Sequence, residues 1–114
     1  MVMRRVRGTV IMPAAAPSTT ALMIVEVRDT SLADSPAPVV ASLRLPATVV
    51  APHEHRTFDL AAPEVPTGNR LSLRCHVSLA GDGVVAAGDL LTTQSIPVAA
   101  AGAVDDLTVP LTVV

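Results

Sequence analysis

Apolar and polar residues alternate over several short segments of the chain, a pattern typical of β-strands with one buried face. The most regular segment is 70–79, where the apolar set is Leu71, Leu73, Cys75, Val77 and Leu79 and the polar set is Ser72, Arg74, His76 and Ser78. We predict a strand here, with the apolar set in a core and the polar set in solvent. No long window shows the period of a helix.

Similar alternation predicts strands over 3–12, 20–28, 39–45, 55–60, 84–96 and 107–113. Loops rich in proline or glycine are predicted over 13–20, 29–38, 46–52, 61–69 and 97–106. Gly81, Asp82 and Gly83 predict a tight hairpin before the strand over 84–96. Pro110 lacks an N–H donor, which places the last strand at a sheet edge or leaves the missing donor facing outward. The pattern predicts one domain, 1–114, folded as an all-β, seven- to eight-stranded antiparallel β-sandwich of the immunoglobulin- or transthyretin-like kind.

Composition and charge exclude several classes of protein. The chain carries a net charge of −2 and one aromatic residue, Phe58, so it has neither the basic surface nor the stacking side chains of a nucleic-acid-binding protein. It has no apolar run long enough for a transmembrane segment. Cys75 is the only cysteine, so an intrachain disulfide is excluded. Its place in the apolar set predicts a buried, inert thiol.

Only one run of residues suggests metal chemistry, His53-Glu54-His55, with His76 as a third candidate ligand. Zinc sites need three or four protein ligands, so we predict no metal and no cofactor, and keep weak metal binding through His53 and His55 as an alternative. No nucleophile, base and orienting group converge in one motif. We therefore predict that the protein is not an enzyme.

Apolar residues at unexpected positions suggest a binding surface. Leu22 and Ile24 lie on the second face of the strand over 20–28, where a sheet with one wet face needs polar residues. Val49 and Val50 lie in the middle of the 46–52 loop. We predict that these four residues are exposed and bind another polypeptide. The alternative is that the 46–52 loop or a homodimer contact covers Leu22 and Ile24.

Several motifs resemble one known family. They are VRGTV from Val6, VEVRDTSLADSP from Val25, VVASLRLP from Val39, FDL from Phe58, NRLSLRCHVSLAGDG from Asn69 and LLTTQSIPV from Leu90. Through them the chain resembles the YbaY-like envelope lipoproteins, which include the YscW-type pilotins of type III secretion. The resemblance implies a compact β-sandwich without catalytic residues. Pilotins are lipidated at an N-terminal cysteine and help outer-membrane secretin subunits to localise and assemble.

The resemblance implies a non-enzymatic envelope module in the periplasm or at the outer membrane, with a secretin subunit as partner. An alternative from other family members is a small-ligand or polysaccharide-related envelope domain. The chain starts with basic residues, but no apolar signal segment or lipobox cysteine follows. We therefore expect either a cytoplasmic protein or an exported one whose leader has been removed.

Overall fold

A computed structural model describes residues 1–32 and 34–114, and these residues form nine β-strands and no helix. The strands are β1 Met3–Ile11, β2 Thr19–Asp29, β3 Val39–Val50, β4 His55–Pro63, β5 Leu71–Ser78, β6 Leu90–Leu91, β7 Pro97–Val98, β8 Val104–Pro110 and β9 Thr112–Val113. They form two sheets in a sandwich-like fold, which confirms the predicted fold class. Within the described part of the chain, no helix has the length and apolarity that a membrane span requires.

The smaller sheet has the order β4-β1-β8, and the larger sheet has the order β3-β2-β5-β6-β9, with β7 also paired to β5. Most neighbours are antiparallel, as predicted, but β1 and β8 run parallel. Strand β8 ends at Pro110 and lies at the edge of the smaller sheet, as predicted from the missing N–H donor.

The core lies between the two sheets and is almost wholly aliphatic. Its completely buried strand residues include Val6 and Val10 of β1, Met23, Val25 and Val27 of β2, Cys75 and Val77 of β5 and Val109 of β8. The predicted burial of Leu73 and Val77 is confirmed. Burial of apolar side chains is the main force that holds the sheets together.

Gly8 allows the strands of the smaller sheet to pack closely around Phe58. A Cβ on Gly8 would lie 2.6 Å from the carbonyl oxygen of Leu107 and 2.9 Å from Cζ of Phe58. Strand β8 carries one extra residue here, since Val6 pairs with Val104 and Gly8 pairs with Leu107. A glycine is required because no side chain fits between the neighbouring backbone and the aromatic ring.

The motif from Asp29 joins the end of β2 to the start of β5. The carboxylate of Asp29 accepts hydrogen bonds from the backbone N–H of Ser31, at 2.9 Å, and from the amide of Asn69, at 3.1 Å. Ser31 Oγ accepts the N–H of Arg70 at 2.9 Å. Hydrogen bonding by Ser31, with a smaller effect of Asn69, lowers the pKa of Asp29 below its ordinary value, against an opposing effect of desolvation. The predicted loop over 29–38 includes Ala33, which lies outside the described residues.

Three sequence predictions about the strands are wrong. Residues 84–96 form no continuous strand, because only Leu90 and Leu91 pair with β5 before the chain turns away. The predicted loop over 46–52 is instead mostly the end of β3. The predicted single strand over 107–113 is divided between β8 of the smaller sheet and β9 of the larger sheet.

Arg4 is buried although its neighbours Arg5 and Arg7 are exposed. Its guanidinium donates to the carbonyl oxygens of Ala99 and Gly102, which holds the loop before β8 against the start of β1.

Candidate functional site

Three of the four apolar residues predicted to be exposed are buried, and that prediction is wrong for them. Leu22 is 9% exposed, Ile24 is 7% exposed and Val50 is 1% exposed, whereas Val49 is 49% exposed. Val50 belongs to the core cluster. Leu22 and Ile24 lie on the outer face of the larger sheet, opposite Ser78 and His76 of β5. Whether the four residues bind a partner remains a prediction.

A bulge in β3 shapes the surface beside Leu22. Ala21 pairs with Thr48 and Met23 pairs with Leu45, so β3 has one residue more than β2 between these pairs. The extra length falls at Pro46 and Ala47, opposite Leu22. Pro46 has no N–H to donate to the ladder, and Ala47 has a φ of 58°, outside the strand region. Both features disrupt regular pairing and leave a depression over Leu22.

The segment of residues 79–89, here called the 79–89 loop, explains why Ile24 is buried. A Cβ on Gly83 would lie 3.4 Å from Cδ1 of Ile24, in van der Waals contact. The same loop follows directly on Ser78 of β5, whose Oγ accepts the N–H of Gly83 at 3.2 Å. His76 and Ser78, both predicted to face solvent, are therefore buried as well. Cover by the 46–52 segment was the alternative to exposure for Leu22 and Ile24, but the 79–89 loop performs that role for Ile24.

Asp89 fixes the 79–89 loop to strand β5 through the hydrogen bonds of its carboxylate. Its carboxylate accepts the backbone N–H groups of Leu79 and Ala86, each at 3.1 Å. The other contact is with Nε2 of His76 at 2.8 Å, and a carboxylate only accepts, so the imidazole donates. Nδ1 of His76 is buried without a hydrogen-bond partner among the described residues. Asp89 thus joins both ends of the loop to the centre of β5.

The pKa of Asp89 reflects two opposing causes. Burial disfavours the charged carboxylate and would by itself raise the pKa. The hydrogen bonds from His76, Leu79 and Ala86 stabilise the charged form more strongly, and the pKa is lowered from its ordinary value. The carboxylate is therefore held ionised in a buried position.

An open groove of about 550 Å³ lies between the bulge of β3 and the start of the 79–89 loop. Its lining is Thr20, Ala21, Leu22, Arg44, Pro46, Ala47, Leu79 and Gly81. Arg44 is the only charged residue of this lining, and it makes no ion pair within the described part of the chain. The groove therefore presents a mostly apolar wall with one cation at its rim. Of the four predicted site residues, the groove contains Leu22 alone.

The outer face of the larger sheet also carries charged residues that are paired with one another. Glu26 of β2 accepts hydrogen bonds from Arg28, at 2.8 Å, and from Arg74, at 3.3 Å. On the smaller sheet, Asp59 lies within 2.7 Å of Arg5 and 3.1 Å of Arg7. These charges already have partners, so they offer less to a ligand than the groove does.

The three histidine residues do not form one site in the described part of the chain. His53 is exposed in a turn with a φ of 59°, His55 is exposed at the start of β4, and His76 is engaged by Asp89. Residues 1–32 and 34–114 contain no group of three or more His, Cys, Asp or Glu side chains arranged to hold a metal. His76 therefore does not complete a metal site with His53 and His55.

Sequence reasoning missed Asp89 and Arg44 as residues that shape the site. Asp89 stands alone among apolar and small residues between Val84 and Leu91. A single acid in such a segment is a signal for a buried, hydrogen-bonded carboxylate. Nothing comparable distinguishes Arg44, because its position at a groove depends on the bulge at Pro46.

The comparisons with known proteins agree with this architecture. The family model of the type III secretion system lipoprotein chaperone, YscW, matches residues 1–111. The chain belongs to this family, which confirms the predicted resemblance. A family of secretion-system lipoprotein chaperones consists of binding proteins of the cell envelope and not of enzymes, in agreement with the predicted class.

Among solved structures, the chain is similar to an alternative pilotin from the type II secretion system of Vibrio cholerae. The two share 22% sequence identity, with a TM-score of 0.70 over 97% of this chain and 98% of the pilotin chain. This likeness supports the β-sandwich fold. A comparison with curated proteins finds no match.

Proposed function

We propose that the protein is a pilotin-like envelope chaperone that binds a secretin subunit through the groove between β3 and the 79–89 loop. Family membership over residues 1–111 supports the chaperone class. The single structural observation that carries the site is the apolar groove with Arg44 at its rim. An occupant with apolar side chains and one acidic group matches this lining.

The shape of the groove suits a short polypeptide segment. Leu22 and Leu79 supply apolar surface, and the bulge at Pro46 and Ala47 supplies the depression that receives a side chain. Interfaces obtain most of their binding energy from a few apolar anchors in such pockets. Arg44 orients the partner segment, because a carboxylate of that segment forms a charge-assisted hydrogen bond with the Arg44 guanidinium.

A second mode of binding uses the edge of the larger sheet. Strand β3 is an edge strand of 12 residues, and a partner strand added beside it would extend the sheet. The bulge at Pro46 limits such pairing to the stretch between Val39 and Leu45. Because the groove begins where this stretch ends, one partner segment reaches both surfaces.

The proposal is tested with fluorescent peptides that tile the secretin subunit of the same organism, titrated with the purified chain in an anisotropy assay. We expect one or a few neighbouring peptides to bind. Ala47→Asp places a carboxylate in the groove at a residue whose positive φ an aspartate tolerates, and it should weaken binding about tenfold or more.

The matched control is Ala14→Asp, at an exposed turn residue outside the groove. It should bind like the wild-type chain. Equal affinities of the Ala47→Asp variant and the wild type would remove the groove from the proposal, and an absence of binding by every peptide would remove the secretin partner. Substitutions of Leu22 and Ile24 are unsuitable for this test, because an aspartate at either buried position would destabilise the folded protein.

A further inference from the structure

We infer that the 79–89 loop is a lid over the outer face of β2, held closed by Asp89, and that its opening extends the docking groove from Leu22 to Ile24. The inference rests on the proposed function, because it gives the regulation of the same site. It concerns the outer face of the larger sheet, where a loop covers apolar residues.

The first observation is the apolar surface under the loop. Leu22 and Ile24 are neighbours on the outer face of β2, and both are buried. The loop that covers Ile24 contains no strand or helix, and most of its residues are exposed. Leu22 also lines the groove, so the surface beneath the loop continues the wall of the open groove. Removing the loop would extend one apolar surface along β2.

The second observation is that hydrogen bonds to the rest of the protein fix the loop near its two ends. Val84 N–H donates within the loop to Asp82, and Gly81 N–H donates to the carbonyl of Ser78. The loop is joined to the rest of the protein through Asp89, with its bond to His76, and through Ser78 Oγ. Two backbone bonds also fix its end, from Gly88 N–H to the carbonyl of Val114 at 2.6 Å and from Val114 N–H to the carbonyl of Asp89 at 2.9 Å. A segment held by few contacts, with a solvent-exposed backbone, opens locally at lower free energy than the core.

The third observation is the presence of glycine at both ends of the loop. Gly81 and Gly83 have φ values of 78° and 75° near its start, and Gly88 has a φ of 94° near its end. Gly81 and Gly88 have no atom within 4 Å of a Cβ position, so neither is needed for close packing. Glycine changes its backbone angles at low cost, which suits hinge positions. Asp89 lies directly after the second hinge.

Thiol labelling tests the opening without any partner. The Ile24→Cys variant carries one thiol beneath the loop, and the native Cys75 on the core face of β5 is an internal control. N-ethylmaleimide is added in pulses, and modification at each position is followed by peptide mass spectrometry. Adding Asp89→Asn should raise the rate at position 24 about tenfold or more, which corresponds to about 1.4 kcal/mol. Cys75 becomes accessible only by unfolding of the sandwich, so it should be labelled far more slowly than position 24 in both proteins.

A second variant keeps the test decisive if the Asp89→Asn protein does not fold. Ser78→Ala removes the acceptor of the Gly83 N–H and should accelerate labelling at position 24 in the same selective way. Labelling of position 24 as slow as that of Cys75 in the same protein would mean that both thiols are exposed only by unfolding of the whole sandwich, and would overturn the lid. Unchanged labelling at both positions in the folded variants would overturn it as well.

The link to docking is read from the secretin peptide that binds the wild-type chain. The Asp89→Asn variant, with Ile24 intact, should bind that peptide more tightly, because less free energy is needed to open the loop. Selective labelling with an unchanged or weaker affinity would show a mobile loop that does not regulate the groove, and would overturn the inference. If no peptide binds either protein, the proposed function fails and the regulation fails with it, while the labelling still decides whether the loop opens.

Discussion

Nε2 of His76 lies 2.8 Å from Oδ2 of Asp89, and the two side chains are 1% and 3% exposed. This contact joins the central strand β5 to the end of the 79–89 loop. Two backbone N–H groups of the loop, those of Leu79 and Ala86, donate to the same carboxylate. Removing a buried group with several hydrogen-bonding partners leaves those partners unsatisfied, which is why such sites are costly to change.

The Asp89→Asn variant should lose about 1–3 kcal/mol of unfolding free energy at neutral pH, because an uncharged amide cannot replace all three accepted bonds. The loss should depend on pH with a definite sign. The pKa of Asp89 is lower in the folded protein than in an unfolded chain, so its stabilising effect is complete above about pH 4 and declines as the pH falls through the folded pKa.

Urea unfolding from about pH 7 down to about pH 2 measures this difference. The wild-type chain and the variant should converge as the pH falls from about 4 through the lower pKa that Asp89 has in the folded protein. Asp29 and Asp59 also have lowered pKa values, and both proteins retain them, so they cancel in the comparison. Arg44, Asp82 and the Glu26–Arg74 pair around the loop are likewise unchanged. A constant difference at every pH would contradict the role given to the Asp89 charge.

The Gly8→Ala variant should be destabilised by about 1–3 kcal/mol or more, since the added Cβ would overlap the carbonyl of Leu107 and the ring of Phe58. Gly68→Ala is the matched control, because nothing lies within 4 Å of its Cβ position and its φ is not in the left-handed region. The control should change stability by less than about 0.5 kcal/mol. Equal effects of the two substitutions in denaturant unfolding would contradict the close packing of β1, β4 and β8.

The Leu73→Ala variant should lose about 2–5 kcal/mol, from lost apolar burial and from the cavity left in the core. Leu73 is 2% exposed at the centre of the interface between the sheets. Leu32→Ala, at an exposed leucine, should change the unfolding free energy by less than about 0.5 kcal/mol. A loss below about 1 kcal/mol for Leu73→Ala would show that the inward face of β5 is not the core face.

The alternation of apolar and polar residues along the strands predicted the inner face of the sandwich well. Val25 and Val27 of β2, together with Leu71 and Leu73 of β5, repeat every second position, and they pack as the alternation requires. The same alternation failed on the outer face. His76 was predicted to face solvent because its neighbours along β5 alternate, but burial there depends on a loop that returns over the sheet.

The sequence also could not predict that residues 84–89 form part of a loop. The segment begins with Val84 and Val85 and contains Gly88, a combination typical of a strand with a bulge. Asp89 instead holds the N–H groups of Leu79 and Ala86, so the chain turns before it pairs with β5 at Leu90. Such competition between a side chain and a ladder involves residues ten positions apart, and a local pattern does not contain it.

Prediction of the groove would likewise have required a relationship between distant residues. Pro46 and Ala47 were assigned to a loop because proline interrupts strands. In the folded chain β3 continues through them with a bulge, which places Val50 in the core and leaves Val49 outside. The composition of the segment was informative, but the face of each residue depended on its register with β2.

Cys75 should be unreactive in the folded protein. Burial raises the pKa of its thiol to about 12, against a smaller lowering effect of the nearby Arg74 charge. Ellman's reagent at about pH 8 should therefore react slowly with the native chain and completely after unfolding in guanidinium. Rapid reaction of the native wild-type chain would contradict the burial of Cys75 on the core face of β5.

The most direct test of the proposed docking site is a charge reversal across it, measured as the Kd of the secretin peptide that binds the wild-type chain. Arg44→Glu should weaken binding about tenfold or more, because it places two like charges together. The same secretin peptide with its acidic residue replaced by arginine should bind the Arg44→Glu chain with restored affinity. It should bind the wild-type chain weakly. Equal affinities of the wild-type and Arg44→Glu chains for both peptides would contradict docking at the groove.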